Sequence, residues 1–386
     1  MKALVVTPYY YPKIGGLENY ARQLGLSLRS QAGWDIAVAT SNHESRGDRI
    51  DEADGMAVYR LGAWFKFSNT PVNPLWAFKL RRIIKHERPD IILAHTPVPT
   101  MADAAALARG RTPLVLFYHA ATLEKGGSRL FNIVAKAYQI YEKLTLSRAT
   151  RIAAPSDYVK ASLPSRFQAK SAVVPNSVWH SDIVARKQPE DSPAFVFIGS
   201  LDRTHAWKGV DLILQSIAEY KAKFGVEATL TIIGDGNYRT HYQAKAAELG
   251  IEKLVRFTGA LVGRAKDKEL AKATALICYP TTSNDAFPTV ILEAWALGVP
   301  VVAAAIGPVT STINDGRDGF LAKPHSPSAL AGTMHAVATM PSEGRALVAD
   351  AAASRTRSLY TWELQATAVS QIADGIGNTM PLEEAR

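Results

Sequence analysis

Three groups of residues in this chain have the types and spacing to handle an anionic ligand. The first is a pair of acids, Asp285 and Glu293, with seven residues between them in the run from Cys278 to Pro300. A β-rich apolar run from Ala275 to Tyr279 ends at Pro280, and a polar loop follows. A helical run from about Pro288 to Leu297 comes next, stopped by Gly298 and Pro300. Proline at a helix start and glycine past its end is the expected asymmetry. Asp285 therefore stands between a strand's carboxyl end and a helix N-terminus, where free N–H groups suit a phosphate or a sugar oxygen. Glu293 would ordinarily be a solvated helix carboxylate. Its neighbours Val290, Ile291, Leu292, Ala294, Trp295, Ala296 and Leu297 are apolar, however. A carboxylate in that setting needs a partner, and a ligand hydroxyl is a good candidate.

The second group is cationic. The strand-like run Ala194 to Ile198 leads into Gly199-Ser200-Leu201-Asp202-Arg203-Thr204-His205-Ala206-Trp207-Lys208-Gly209. Arg203 or Lys208 alone reads as a solvated loop charge. Cations and backbone N–H groups after a strand can also stabilise negative charge growing on a leaving phosphate. The third group is two histidines at strand ends, His95 after Arg88 to Ala94 and His119 after Thr112 to Tyr118. A core-edge ring bonded to backbone is the preferred reading for His95. A ligand contact is preferred for His119, in Tyr118-His119-Ala120. A zinc reading of the two fails for want of further ligands at metal spacing. Gly15-Gly16, in the first strand-to-helix turn, would let backbone approach a ligand closely, although a glycine pair by itself is only a tight turn.

The elements that must hold these residues alternate. Lys2 to Thr7 reads as a buried strand, Glu18 to Ser30 as a helix and Asp35 to Thr40 as a second strand. Strands at Val58 to Leu61, 88–95, Thr112 to Tyr118, 151–156 and Ala172 to Val174 follow, with an amphipathic helix at Phe131 to Leu146. The charged, proline-containing stretch Ser181 to Ser192 marks a domain boundary. Strands resume at Ala194 to Ile198, Ala228 to Ile233 (ending in Gly234-Asp235-Gly236), 255–259 (ending in Gly259) and Val299 to Ala305. Tyr360-Thr361-Trp362-Glu363 introduces a last helix. Strand–helix alternation in both halves predicts two doubly wound α/β domains.

Composition narrows the class. With 386 residues, 47% of them hydrophobic, the chain can build two sizeable cores. No apolar run approaches ~18 residues, so no membrane-spanning helix is expected. The N-terminus turns to Pro8-Tyr9-Tyr10 too soon for a signal peptide. Cys278 is the only cysteine, which fits a reducing cytoplasm and excludes a disulfide framework. The net charge of +9 is uneven: 26 Lys+Arg stand against 15 Asp+Glu through Glu190, and 18 against 20 beyond it. An acidic partner for the first half only is implied, with nucleic acid and an anionic membrane as candidates.

The motifs resemble those of glycosyltransferase family 4, the retaining GT-B enzymes, over nearly the whole chain. The family's E-x7-E followed by A-x-A-x-G-x-P-V is met by Asp285-x7-Glu293, then Ala294-x-Ala296-x-Gly298-x-Pro300-Val301. Asp replaces the first Glu, and Ala286-Phe287-Pro288-Thr289 stands where Gly-Phe-Gly is usual. Val174-Pro175-Asn176-Ser177-Val178 resembles V-P-N-G-V, and Lys208-Gly209 matches the family's Lys-Gly. Gly199-Ser200 replaces its Gly-Arg, which moves the arginine's place to Arg203. Gly307-Pro308 and Ser311 occupy its G-G-x-x-E segment without the Glu.

The resemblance implies a GT-B fold: two Rossmann-like domains facing a central cleft, 1–180 for the acceptor and 181–362 for the donor. A C-terminal helix, about 363–386, would cross back to the first domain. It implies a retaining, metal-independent transfer of a hexose, with no cofactor, from a nucleotide-diphosphate sugar to a saccharide. His119, Arg203, Lys208 and Asp285 would be catalytic. Gly16, Gly199, Gly234, Gly259, Ala286, Phe287, Pro288, Thr289 and Glu293 would line the donor site, with Glu293 on the ribose and His119 near the sugar's C6 hydroxyl. Resemblance to bacterial exopolysaccharide and lipopolysaccharide assembly enzymes favours GDP-mannose, a lipid-linked or oligosaccharide acceptor, and a place on the cytoplasmic face of the membrane. Another sugar-nucleotide enzyme such as a 2-epimerase, a phosphorylase, or a degenerate binding protein are the alternatives.

The run from Trp64 to Lys85 carries Trp64, Phe65, Phe67 and Trp76 among Lys66, Lys79, Arg81, Arg82 and Lys85. It reads either as a contact with anionic lipid or, from Trp76 to His86, as a crossover helix packed on the sheet. No recognised nucleic-acid motif accompanies these cations.

Overall fold

The computed structural model describes residues 1–13, 15–67, 70–96, 98–119, 129–179, 193–285 and 287–377. Contacts divide the chain into two compact units. Among the described residues, one holds the chain up to Asn176 and again from Trp362, and the other holds those from Ser177 to Thr361.

The first unit runs β1 (Lys2–Thr7), α1 (Gly16–Ala32), β2 (Asp35–Asn42), β3 (Arg49–Ala53), β4 (Met56–Gly62), β5 (Phe65–Phe67) and β6 (Thr70–Val72). It continues with α2 (Trp76–Glu87), β7 (Ile91–Thr96), α3 (Met101–Ala108), β8 (Leu114–Tyr118), α4 (Arg129–Arg148), β9 (Arg151–Ala154), α5 (Asp157–Ser162), α6 (Ser165–Gln168) and β10 (Ser171–Val173). Among the described residues its main sheet has the order β10-β9-β8-β7-β1-β2-β4-β3. Central strands β1, β7 and β8 are continuous apolar runs because helices cover both faces of a parallel sheet; Leu4, Val5, Ile92, Leu93, Val115 and Leu116 are all buried. The chain builds outward from β1 on one side, then returns to build from β7 on the other, so the order reverses between β1 and β7. Loops at the carboxyl ends flanking such a reversal form a natural crevice.

Two features differ from the sequence expectation. Arg49–Ala53 is an antiparallel edge strand, although three of its five residues are charged and none is buried. Charges on an edge strand discourage pairing with another chain, and they mask the apolar alternation by which strands are recognised. Trp76 is no surface anchor: it is buried, and its indole N–H donates to the Gly62 carbonyl at 3.1 Å. With Leu80, Ile83 and Ile84 it forms the inward face of α2.

The second unit runs β11 (Ala194–Ile198), a 3₁₀ turn (Arg203–Lys208), α7 (Val210–Phe224), β12 (Thr229–Ile233), α8 (Arg239–Glu248), β13 (Val255–Gly259), α9 (Gly263–Leu270) and β14 (Ala275–Cys278). Then come α10 (Thr289–Ala296), β15 (Val301–Ala304), α11 (Val309–Thr312), β16 (Phe320–Ala322), α12 (Pro327–Ala338) and α13 (Ser342–Leu359). Its sheet has the order β13-β12-β11-β14-β15-β16 and reverses between β11 and β14, each strand pair parallel. The core on one face gathers Phe195, Leu214, Ile232 and Tyr279, and on the other Leu276, Ile291, Leu292, Trp295 and Tyr360.

The chain then returns as α14 (Trp362–Gly377), which packs on α1 and belongs to the first unit. Gln365 on α14 donates to the Tyr20 hydroxyl at 2.6 Å and to the Pro175 carbonyl at 2.8 Å. Ala366, Val369 and Ile372 are buried beside it. Residues 378–386 of the expected helix, and the boundary position 180, lie outside the described residues. No helix among the described residues is long and apolar enough to cross a membrane.

Candidate active site

In the second unit the loops leaving β11 and β14 meet at the reversal of the sheet. The Thr281 amide and hydroxyl both donate to the Trp207 carbonyl, at 2.7 and 3.1 Å. Gly209 makes this approach feasible. Its φ is +79°, and a Cβ there would lie 2.1 Å from the Tyr279 carbonyl oxygen. So locked, Lys208 lies along Gly199, where an added Cβ would stand 3.0 Å from Lys208 Cδ.

The Lys208 ammonium is 3.5 Å from Asp285 Oδ2 and 4.8 Å from the centroid of the Trp207 ring. Lys208 and Asp285 side chains are 23% and 24% exposed, so the pair is reachable yet partly shielded from water. These two line one pocket with Trp207, Cys278 and Val290. Burial pushes the Cys278 thiol up to about 12, with the Asp285 carboxylate adding to the effect. The chain's only cysteine is therefore an inert apolar wall there.

Glu293 was expected to keep its carboxylate for a ligand. Instead it accepts a 2.6 Å hydrogen bond from Lys266 on α9. The carboxylate has the partner its apolar setting demands, but that partner is a cation 27 residues upstream that no local pattern announces. Thr289, Val290 and Glu293 share one face of α10 because residues three and four apart lie together on a helix. Pro288 stands one residue before this helix, at its N-cap. The N–H groups of Thr289 and Val290 are among the first-turn donors that have no intrahelical acceptor. Phe287, expected at the donor, has its ring in the core against Tyr360 at 5.5 Å, so only its backbone can meet a ligand. Ala286 lies outside the described residues.

Gly199, Gly234 and Gly259 come together, backbone on backbone. A Cβ on Gly234 would lie 1.9 Å from the Gly199 carbonyl oxygen, and the Gly234 amide donates to the Gly259 carbonyl at 2.9 Å. Asp202 and Asn237, which no motif marks, close the same seam. The Asn237 amide donates to Asp202 Oδ1, and the Arg203 amide donates to Asn237 Oδ1, each at 3.0 Å. Arg203 is exposed, and its guanidinium pairs with no carboxylate among the described residues.

In the first unit, the loop after β1 reaches α1 through Gly15 and Gly16. A Cβ on Gly15 would lie 2.3 Å from Glu18 Oε2, whereas one on Gly16 would meet nothing within 4 Å. A side chain at 15 would thus displace the Glu18 carboxylate, whereas packing leaves 16 open. Glu18, buried in the first turn of α1, lies 3.7 Å from Lys13, whose ammonium sits 3.0 Å from the Tyr9 ring centroid. His95 does not bond to backbone. Its Nδ1 lies 2.9 Å from Nε2 of His119, so the two rings form one unit. Burial holds both imidazoles in the neutral form, with His119 down to about 3.

Taken together, the second unit offers a half-shielded cation, free helix N–H groups and a carboxylate at one turning point of a parallel sheet. Such a set can bind a diphosphate and hydroxyls. Family models match both halves: "Glycosyltransferase Family 4" over residues 14–181 and "Glycosyl transferases group 1" over 181–354. A phosphatidyl-myo-inositol mannosyltransferase of Mycobacterium leprae is 22% identical over 98% of each chain. Among solved structures, sucrose-phosphate synthase from Thermosynechococcus elongatus superposes with a TM-score of 0.80 at 18% identity, covering 98% of this chain and 99% of that one. Anabaena Alr3699/HepE in complex with UDP and glucose does so at 0.73 and 18%, covering 97% and 99%. The fold is therefore GT-B.

Proposed function

Because this chain belongs to the glycosyltransferases, with the family 4 model over its first half and the group 1 model over its second, we propose that it is a retaining hexosyltransferase. It moves the hexose of a nucleotide-diphosphate sugar to a saccharide acceptor. The observation that carries this reading is the Lys208 ammonium, held beside Asp285 and the first turn of α10 in one pocket. As the bond from the sugar's anomeric carbon to the diphosphate oxygen breaks, negative charge grows on the leaving group. Lys208, Arg203 and the N–H groups of Thr289 and Val290 are the donors available to meet it, which assigns to protein cations the task a divalent metal has elsewhere. The ribose hydroxyls take Glu293, displacing Lys266. On the retaining route, the acceptor oxygen bonds the anomeric carbon from the face the diphosphate leaves, and a departing phosphate oxygen takes the acceptor's proton.

For the donor we favour GDP-mannose, which the mannosyltransferase name of the M. leprae relative supports. UDP-glucose is the rival, since the HepE structure holds UDP and glucose. For the acceptor we favour a lipid-linked saccharide at the cytoplasmic face of a membrane. Trp64, Phe65, Leu75 and Phe78 are 46–57% exposed on the first unit, and Lys66, Arg81, Arg82 and Lys85 are exposed among them. Four such cations contribute about 4 kcal/mol at an anionic surface, enough for reversible docking. Lys79 is otherwise engaged, 2.7 Å from Asp48. The side chain of Phe67 lies outside the described residues.

Release of nucleoside diphosphate from a panel of sugar nucleotides, with and without lipid extract as acceptor, tests the whole reading. Acceptor-dependent release from GDP-mannose is expected. Release from UDP-glucose alone would move the donor, and release from none would remove the transferase assignment. Co-sedimentation that is equal on neutral and anionic vesicles would remove the membrane.

A further inference from the structure

The paired histidines carry more than a contact. β7 and β8 run parallel with His95 in register with Phe117 and Thr96 with Tyr118, and the His119 amide donates to the Thr96 carbonyl at 2.8 Å. Side chains two residues apart along a strand share a face. His119, two beyond Phe117, therefore lies diagonally across from His95. The rings stack at 5.2 Å with 21° between their planes, and the Tyr20 ring stands edge-on to both, at 5.6 and 4.6 Å. Tyr20 is itself held by Gln365 of α14. His95 is wholly buried, and its Nε2 has no hydrogen-bond partner among the described residues. His119 is half-buried, and its Nδ1 has no partner among the described residues.

Two neutral imidazoles joined by one short contact can place the shared proton in two ways. If His119 Nε2–H donates, His95 must carry its own proton on Nε2, leaving a buried N–H with no acceptor. If His95 Nδ1–H donates, the buried Nε2 keeps only a bare lone pair. Orphaned buried N–H groups are the rarer defect in folded proteins. We propose that His95 is a positioning residue that donates from Nδ1 to His119 Nε2, and so fixes His119 as an Nδ1–H tautomer able to donate to a ligand oxygen. This rests on the reading of His119 as a sugar contact. What it adds is the direction of that hydrogen bond and the buried residue that sets it.

Long-range ¹⁵N–¹H correlation spectra of the full chain with labelled histidine read each ring's tautomer, and His95→Phe and His119→Gln assign the two signals. The expected result is a proton on Nδ1 of both rings. A His119 ring protonated at Nε2 overturns the proposal. His95→Phe keeps an aromatic ring in the aromatic surroundings but has no donor, while an Asn amide can reach the place of Nδ1. Turnover (kcat) should fall by about tenfold or more in His95→Phe, as for loss of one oriented hydrogen bond, with KM for the donor little changed. His95→Asn should recover most of it, and the thermal midpoints of both variants should lie close together. Equal turnover in His95→Phe and the parent chain, with the His119 tautomer unmoved, also overturns the proposal. Full activity in His119→Ala would instead remove the sugar-contact reading, an outcome separable from the tautomer result.

Discussion

Glu142 offers a sharp test of the first unit's packing. This α4 residue is 6% exposed, and its Oε1 has no partner among the described residues. Burial pushes its carboxyl from 4.5 up to about 7; the Tyr118 hydroxyl opposes this and the nearby Asp103 carboxylate adds to it. At 1.36 kcal/mol per pH unit, that difference makes the charged form about 3 kcal/mol costlier in the folded state. The sign follows from the order of the two values. Below pH 4.5 the carboxyl is protonated folded and unfolded, and nothing is lost. Between pH 4.5 and about 7 the unfolded chain ionises first, so stability falls as pH rises, and above 7 the full cost is present. Glu142→Gln cannot ionise. It should match the parent near pH 4.5 and exceed it by about 3 kcal/mol at pH 8, some 6–12 °C in the melting of a unit this size. Scanning calorimetry at pH 4.5, 6 and 8 reads the difference. An offset that stays constant across the three, or a variant less stable at pH 8, would refute the reasoning.

Other expectations follow from the second unit's loops and the first unit's glycine turn. Lys208→Ala should lower turnover by about a hundredfold, the usual effect of losing one preorganised contact to developing charge, with unchanged circular dichroism; Glu293→Ala, which removes the proposed ribose contact, should raise KM for the donor. Near-normal rates in Lys208→Ala would dismiss the diphosphate assignment. Activity should survive EDTA if, as proposed, Lys208 and Arg203 supply the positive charge; full loss restored by Mg²⁺ or Mn²⁺ would contradict this. Gly209→Ala should lower the second unit's melting temperature, as a left-handed backbone costs an alanine about 1–2 kcal/mol even before its Cβ meets the Tyr279 carbonyl. Gly16→Ala should leave melting unchanged yet slow turnover, and normal kinetics there would show that no ligand approaches that turn.

Much of the framework was legible because it is local. β1, β7, β8, β11 and β14 are unbroken apolar runs ending at glycine, proline or histidine, and those endings are where the loops of interest begin. What escaped was non-local. Lys266 finds Glu293 only because α9 and α10 are neighbours in the fold. The need for glycine at 234 comes from a carbonyl 35 positions earlier, at Gly199, so a motif glycine that looked reserved for ligand is in the first place a packing glycine. Phe287 and Trp76 looked like contact residues by type, yet both rings are core, since a large apolar side chain gains most by burial and its neighbours' spacing does not reveal which way it turns. The His95–His119 pair was half visible: two histidines at adjacent strand ends were noted, but the register that joins them was not.

The return of α14 to the first unit has a bearing on how the protein is made. Chains emerge from the ribosome N-terminus first, at roughly 5–20 residues per second, and domains usually fold as they appear. Here the earlier unit is the last to be completed. Until Trp362–Gly377 has been synthesised, the face of α1 that bears Tyr20 lacks the helix that covers it, while the whole of Ser177–Thr361 emerges and can fold. For tens of seconds a nascent first unit exposes an apolar stripe. A chain truncated before Trp362 stays in that state permanently, which makes holdase chaperones its natural companions and premature termination a route to aggregation rather than to a functional fragment.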